Sequence, residues 1–366
     1  MNTLPYRYIQ GSFIRAKLRL KAEQISRDGL GFVGLGNKVV PLGTIEQWTE
    51  ETSRDLESIL SGDRRLCAFF AKLFIGTIVS RLTGLTPQIS QLAQIESYCT
   101  YNGKLQEFFA LLDIEHGDRL YDLTLLGREG LEMICSQYNE LQQTGYTVWQ
   151  DFVDTSFLKL VSDTLDSLNT AWRVTYTNES VRYVSSRADI SNPHNGDAVK
   201  AAATLPIDSD IGNVLCKNKA FQLLADTYIG APGKISSLQY WETYPSKTGV
   251  SEAAQMFHYD LDTFKWVKVL IFLNDVNLGN GPHEAVLGTH HSESNCNHLK
   301  QGYSRISDSD VYSIPDVQAR KFCGLAGSAI ICDTKAIHKG NQVISGNRNI
   351  IEVLYTSNTF GSVVPK

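Results

Sequence analysis

Residues 257–292 read FHYDLDTFKWVKVLIFLNDVNLGNGPHEAVLGTHHS. Their middle, 266–273, is a short apolar run broken only by Lys268, and the turn formers Asn274, Asp275, Asn277, Gly279 and Gly281 close it on the C-terminal side. A run of that length rich in Val, Ile, Trp and Phe and bounded by turn residues reads as a β-strand rather than a helix. Successive side chains of an extended chain point to opposite faces, so His258 and Asp260, two residues apart just before this strand, project to the same side. Together they form a two-ligand bite.

Further strands are expected at 237–244, 285–287, 328–332 and 349–356, separated by turns, which is the pattern of a sandwich or barrel. After the 328–332 strand comes Asp333-Thr334-Lys335-Ala336-Ile337-His338, and a neighbouring strand of a closed sheet would bring His338 alongside the first pair. Two imidazoles and one carboxylate suit Fe(II), and three ligands on one face leave the opposite positions open. With eight histidines in 366 residues, the spacing alone is of low specificity. Arg348, beyond a turn at Ser345-Gly346-Asn347, adds a guanidinium able to take a carboxylate in bidentate fashion. Strand parity sets Arg348 on one face with Ile350, Glu352 and Leu354, so that face has to hold both charged and apolar groups.

N-terminal to this β-rich half the pattern changes. Residues 145–168 read as a short strand followed by a helix, and 185–196 as a long polar loop. Residues 46–143 are mostly of helical period, as in 105–112 and 131–141. Arg15, Lys17, Arg19 and Lys21 alternate along 13–21 like one basic strand face. The stretch 66–82, LCAFFAKLFIGTIVSRL, is interrupted by Lys72 and Arg81. It falls short of the roughly 18 apolar residues of a membrane span, and reads as a buried helix or as an amphipathic segment touching a membrane or a partner. The expected division is a mainly helical N-terminal region, 1–143, and a β domain, 144–366.

Composition narrows the class. With 20% charged and 42% apolar residues the chain is of ordinary globular make-up. A net charge of −5 gives no basic footprint for nucleic acid. The seven cysteines are scattered without a CxxC pair, so neither a disulfide framework nor a zinc knuckle is indicated and a reducing, cytoplasmic setting is expected. Residues 1–21 lack the apolar core of a secretory signal. The Gly279–Gly281 cluster lacks the GKS or GKT ending of a phosphate-binding loop and reads as a turn.

The stretch 257–292 is similar to the core of the phytanoyl-CoA dioxygenase-like family. The motifs are the HxD pair, Lys268 on the following strand, Asp275-Val276, Gly281-Pro282-His283 and Gly288-Thr289-His290, with Thr289 where the family usually has serine. A second block agrees in order: Gly327-Ser328, Asp333-Thr334, His338-Lys339-Gly340 and Arg348 before an apolar last strand. The likeness spans 145–355, is strong from 255 onward, and is absent before 143.

That resemblance implies a double-stranded β-helix, a jelly-roll or cupin-like α+β fold, and a hydroxylase using Fe(II), 2-oxoglutarate and O2. It implies His258, Asp260 and His338 as iron ligands and Arg348 as the clamp on the far carboxylate of 2-oxoglutarate. Lys268 and Asn274, of equal parity, and Thr334, with its hydroxyl, are further candidates to face the co-substrate. His283 and His290 fall in turns beside the cavity. Asp260 argues against halogenation, because related halogenases carry a small residue there. The expected substrate is a small molecule or a sugar- or lipid-linked one, with peripheral membrane contact through the N-terminal region. Two other classes stay open: a non-catalytic jelly-roll binding or sensing protein, and a Zn(II) hydrolase on the same triad.

Overall fold

In the computed structural model, the described residues are 126–356, apart from 169, 177–180, 192–197, 230–231, 246–252, 263–264, 292–293 and 301–304, together with an antiparallel hairpin of Phe32–Leu35 and Lys38–Pro41. The expected basic strand at 13–21, the apolar stretch 66–82 and the helical 105–112 lie outside the described residues. Among those described, no helix is long and apolar enough to cross a membrane.

The chain runs α1 (Gly127–Thr144), β1 (Tyr146–Trp149), α2 (Thr155–Ser167), β2 (Trp172–Tyr176), β3 (Val181–Val184), β4 (Ala198–Thr204), α3 (Asp210–Lys217), α4 (Lys219–Ile229), β5 (Lys234–Thr243), β6 (Trp266–Phe272), β7 (His283–Val286), α5 (Asp308–Tyr312), β8 (Ala319–Phe322), β9 (Ala329–Cys332), β10 (His338–Gly340) and β11 (Arg348–Thr356). An eight-stranded sheet has the order β1-β9-β6-β11-β5-β4-β2-β3 and a three-stranded one the order β8-β7-β10. Every pairing in both is antiparallel. The chain crosses repeatedly between the two sheets, as a double-stranded β-helix does.

Strand parity explains the layers. One face of the large sheet carries Val174, Ala201, Leu238, Val269, Ile331 and Val353, which merge with Ile134 and Leu141 of α1, Phe157 and Val161 of α2, and Phe221 and Leu224 of α4. The opposite face looks toward the small sheet, and Leu270, Phe272, Ile330 and Ile350 there pack with Ala285 and Phe322. β6 lies between these layers, and all seven of its residues are buried, Lys268 included. Burial of each such aliphatic or aromatic side chain stabilises by roughly 1.5–3 kcal/mol.

Helix ends follow local chemistry. Asp154 caps α2 by accepting from the Phe157 N–H. α1 stops at Gly145, whose φ of 81° suits glycine. The strands expected beyond 235 are present with shifted ends. Three further strands, β2, β3 and β4, widen the large sheet, and β8 edges the small one. The expected loop 185–196 opens instead with a 3-10 turn, Arg187–Ser191, whose Arg187 reaches Glu242 Oε2 at 3.1 Å.

Candidate active site

His258 and His338 meet across an antiparallel bridge, where each backbone N–H donates to the other's carbonyl at 2.8 and 2.7 Å. The Asp260 N–H donates to the Thr334 carbonyl at 2.8 Å, so the two segments stay side by side although their register slips by two residues beyond the His258–His338 pair. His258 and Asp260 therefore share a side, as parity requires, and His338 faces them. One ligand atom from each of the three lies within 4.8 Å of the others. His258 Nε2 is 3.9 Å from Asp260 Oδ1 and His338 Nε2 is 3.7 Å from Asp260 Oδ2.

Each ring has its tautomer fixed by a backbone carbonyl. His258 Nδ1 lies 2.9 Å from the Met256 carbonyl and His338 Nδ1 2.9 Å from that of Ala336. A carbonyl only accepts, so each Nδ1 carries the proton and each Nε2 presents a lone pair toward Asp260, the arrangement that metal-binding histidines use. Burial, followed by the charge of His338, takes His258 down to about 3. Burial also lowers His338, against the pull of Asp260. Both rings are thus neutral at neutral pH.

Burial would raise the Asp260 carboxyl, but Lys268, His338 and His258 hold it well below the usual carboxylate range. Lys268 Nζ is 2.7 Å from Asp260 Oδ2 and 2.9 Å from Asp262 Oδ2. Burial works against the ammonium, yet Asp260, Asp262 and Glu352 raise it well above an ordinary lysine. Asp262 is pushed up to about 6, by burial and by Asp260, in spite of Lys268. The donor set of two neutral imidazoles and one ionised carboxylate suits Fe(II).

Arg348 opens β11 on the inward face and donates from Nη1 to the Gly281 carbonyl. Its Nε is buried without a partner, and among the described residues no carboxylate lies in ion-pair contact with it. Burial brings the guanidinium down to about 10, so it remains charged. A Cβ on Gly340 would stand 2.8 Å from Arg348 Nη2, so the absence of a side chain there keeps the guanidinium in place. Arg348 as a whole is only partly buried, but its Nε is shut off from water without an acceptor, and leaving a desolvated cation without a counterion is unfavourable.

The remaining candidates are placed differently. Lys268 lies on the two aspartates. Asn274 falls after β6 has ended, so parity no longer governs it: its amide donates to the Asp275 and Asn347 carbonyls at 2.9 and 3.0 Å, and its oxygen accepts from the Asn349 N–H at 2.7 Å. It ties two chain segments together through these bonds. Thr334 Oγ1 accepts from Trp266 Nε1 at 3.0 Å and its carbonyl holds Asp260, so it supports the turn beside the cluster. His283 lies against His338 with ring centroids 5.2 Å apart and reaches the Tyr146 hydroxyl at 3.3 Å. Asp262 was missed in the sequence, although the step from Asp260 to Asp262 repeats the one from His258.

The profile of the family Phytanoyl-CoA dioxygenase (PhyH) matches residues 141–350. No curated protein matches the chain. Among solved structures, the non-heme alpha ketoglutarate dependent epimerase SnoN from nogalamycin biosynthesis is 13% identical, covers 62% of this chain and 81% of its own, and superposes with a TM-score of 0.45. HygX from Streptomyces hygroscopicus, with nickel and 2-oxoglutarate bound, is 16% identical over 63% of this chain and 87% of its own, with a TM-score of 0.41. EctD from S. alaskensis, with bound Fe, is 14% identical over 67% and 81%, with a TM-score of 0.43. The family match extends over more than half of the chain, so the protein belongs to the phytanoyl-CoA dioxygenase family of enzymes dependent on Fe(II), 2-oxoglutarate and O2.

Proposed function

We propose that the chain is a hydroxylase in which His258, Asp260 and His338 hold Fe(II), and that it inserts oxygen into an unactivated C–H bond of a small-molecule, sugar or lipid-linked substrate. The overall change is substrate C–H, 2-oxoglutarate and O2 to substrate C–OH, succinate and CO2. The bound iron and keto acid supply the oxidising chemistry, and the protein supplies positioning and shielding. The dioxygenase domain is assigned to residues 144–366.

The observation that carries this reading is the presence of two features together. One is a three-ligand cluster with neutral, correctly tautomerised imidazoles; the other is a guanidinium, Arg348, on the inward face of the large sheet, with no carboxylate in ion-pair contact among the described residues. A hydrolase using the same three residues would give Arg348 no task. In this reading Arg348 takes the distal carboxylate of 2-oxoglutarate by the bidentate geometry that lysine lacks, and the Gly281 carbonyl orients it. Lys268 keeps Asp260 ionised as a ligand.

The test is anaerobic. Fe(II) is added to the metal-free protein, then 2-oxoglutarate, and the visible charge-transfer absorption of a chelated keto acid is recorded. The band is expected in the wild type, weakened in Arg348→Ala and absent in His338→Ala. A folded wild-type protein that binds Fe(II) and gives no band would overturn the proposal.

A further inference from the structure

The inward face of the large sheet carries a second cation that the proposed iron and 2-oxoglutarate sites leave unused. Lys200 on β4 lies directly opposite Thr243 of β5, and Thr243 lies directly opposite Arg348 of β11. Directly opposed residues of antiparallel strands share a face, so Lys200 and Arg348 occupy one row, two strand spacings or about 10 Å apart along the sheet. Trp241, two residues from Thr243 on β5 and opposite Ile350, is on that same face.

Lys200 Nζ stands 3.5 Å from the centre of the Trp241 ring. No carboxylate is within ion-pair distance of it among the described residues. The indole Nε1 of Trp241 is itself buried with no acceptor. An ammonium and an indole N–H thus sit together with donors only. Lys200 is partly buried, and a cation–π contact contributes only about 0.5–2 kcal/mol, less than the several kcal/mol that full desolvation of an ammonium costs, so the ring does not replace a counterion. Burial draws Lys200 down to about 7, against Glu352, with Arg348, Arg173 and Lys268 adding to the depression.

The two cations are directed apart. Arg348 reaches across to the Gly281 carbonyl and lies against Gly340, on the small-sheet side. Lys200 folds down onto Trp241 within its own sheet. One carboxylate held at the first is not shared with the second.

We propose that Lys200 and the Trp241 indole N–H form an anion subsite for the substrate, so that the substrate class is one bearing a carboxylate or phosphate group. This rests on the reading of Arg348 as the 2-oxoglutarate clamp. In that arrangement the substrate's anionic group is anchored on β4 and β5, while the carbon to be oxidised faces the cluster of His258, Asp260 and His338.

The probe is inorganic phosphate. Full-length protein with Mn(II) is titrated with phosphate, with and without saturating 2-oxoglutarate, while heat and tryptophan emission are followed; 2-oxoglutarate affinity is measured separately on each variant. Saturable phosphate binding is expected in the wild type, weakened at least tenfold in Lys200→Met and largely restored in Lys200→Arg. In Trp241→Phe, which keeps the ring and removes the N–H, binding is expected to weaken less and the emission change to disappear. Affinity for 2-oxoglutarate is expected to stay within twofold in Lys200→Met, and its melting temperature to hold or rise because a partly buried charge without a counterion is removed.

Phosphate binding that is absent in the wild type, or equal in wild type and Lys200→Met, would overturn the subsite. So would a tenfold loss of 2-oxoglutarate affinity in Lys200→Met, which would assign the ammonium to the co-substrate, or a lowered melting temperature with phosphate binding unchanged, which would make it structural. If 2-oxoglutarate fails to bind while phosphate binding still depends on Lys200, the anion subsite stands and the reading of Arg348 falls.

Discussion

His258 and His338 are locked to each other through their main chains, with reciprocal hydrogen bonds of 2.8 and 2.7 Å and ring centroids 4.3 Å apart. Their mutual position is therefore set by backbone pairing, and the side chains only have to select a rotamer. Replacing either ring should remove a ligand without disturbing the bridge. His258→Ala or His338→Ala is expected to lose Mn(II) affinity by more than the roughly 10- to 100-fold that removal of an outer hydrogen-bond partner costs, with the far-UV circular dichroism unchanged. Titration calorimetry with Mn(II) checks this, and unchanged affinity would remove the residue from the ligand set.

Gly340 stands opposite His283 on β7 and beside the Arg348 guanidinium, where a Cβ would come within 2.8 Å of Nη2. Gly340→Ala should displace the guanidinium while leaving His338, two residues earlier, in its bridge. The expected result is a KM for 2-oxoglutarate raised roughly tenfold, equivalent to about 1.4 kcal/mol, with Mn(II) affinity unaltered. Equal effects on both ligands would mean that the substitution acts through the fold.

Lys268 neutralises two carboxylates at 2.7 and 2.9 Å. Removing one partner of a buried charge network costs roughly 3–5 kcal/mol, and the low end applies because the Asp262 side chain is 32% exposed. Lys268→Met should be destabilised in urea by that amount, and Lys268→Met combined with Asp262→Asn should recover part of it, since the two positions are in contact and not additive. A double variant no more stable than Lys268→Met would argue against the coupling.

His290 couples stability to pH. Its Nε2 donates to the Gln142 carbonyl at 3.1 Å, and its Nδ1 is buried with no donor. Burial, with Asp333 opposing and His291 assisting, brings the ring from 6.5 to about 3. Between those values the unfolded chain binds the proton and the folded one does not, so stability rises with pH across the window and is lost as pH falls from 6.5 toward 3. Metal-free protein is expected to show this acid loss in urea denaturation at a series of pH values. His290→Gln should reduce the slope by up to one proton, and an unchanged slope would place the ring in solvent-like surroundings.

The sequence by itself determined the relations that depend on neighbouring residues along the chain. The same-side projection of His258 and Asp260 follows from the period of an extended strand, and so does the mixed face of Arg348, Ile350, Glu352 and Leu354. The family motifs carried the reading from a local bite to a whole site, because two ordered blocks specify both edges of one cavity.

Only the tertiary structure decided which strands lie side by side, since pairing is a property of residues far apart in the chain. β4 reads AVKAAAT, an alanine-rich segment with little of the β-branched signal that marks a strand. It becomes one through pairing with β5 and β2, and with it Lys200 arrives beside Trp241. Asn274 shows the opposite limit: its parity matches Lys268, but the strand ends at Phe272, and beyond that point the backbone turns and the side chain joins the carbonyls it meets. Alternation along a strand is local and persists only while the strand does, whereas the charge that faces a side chain across a sheet is chosen by the fold.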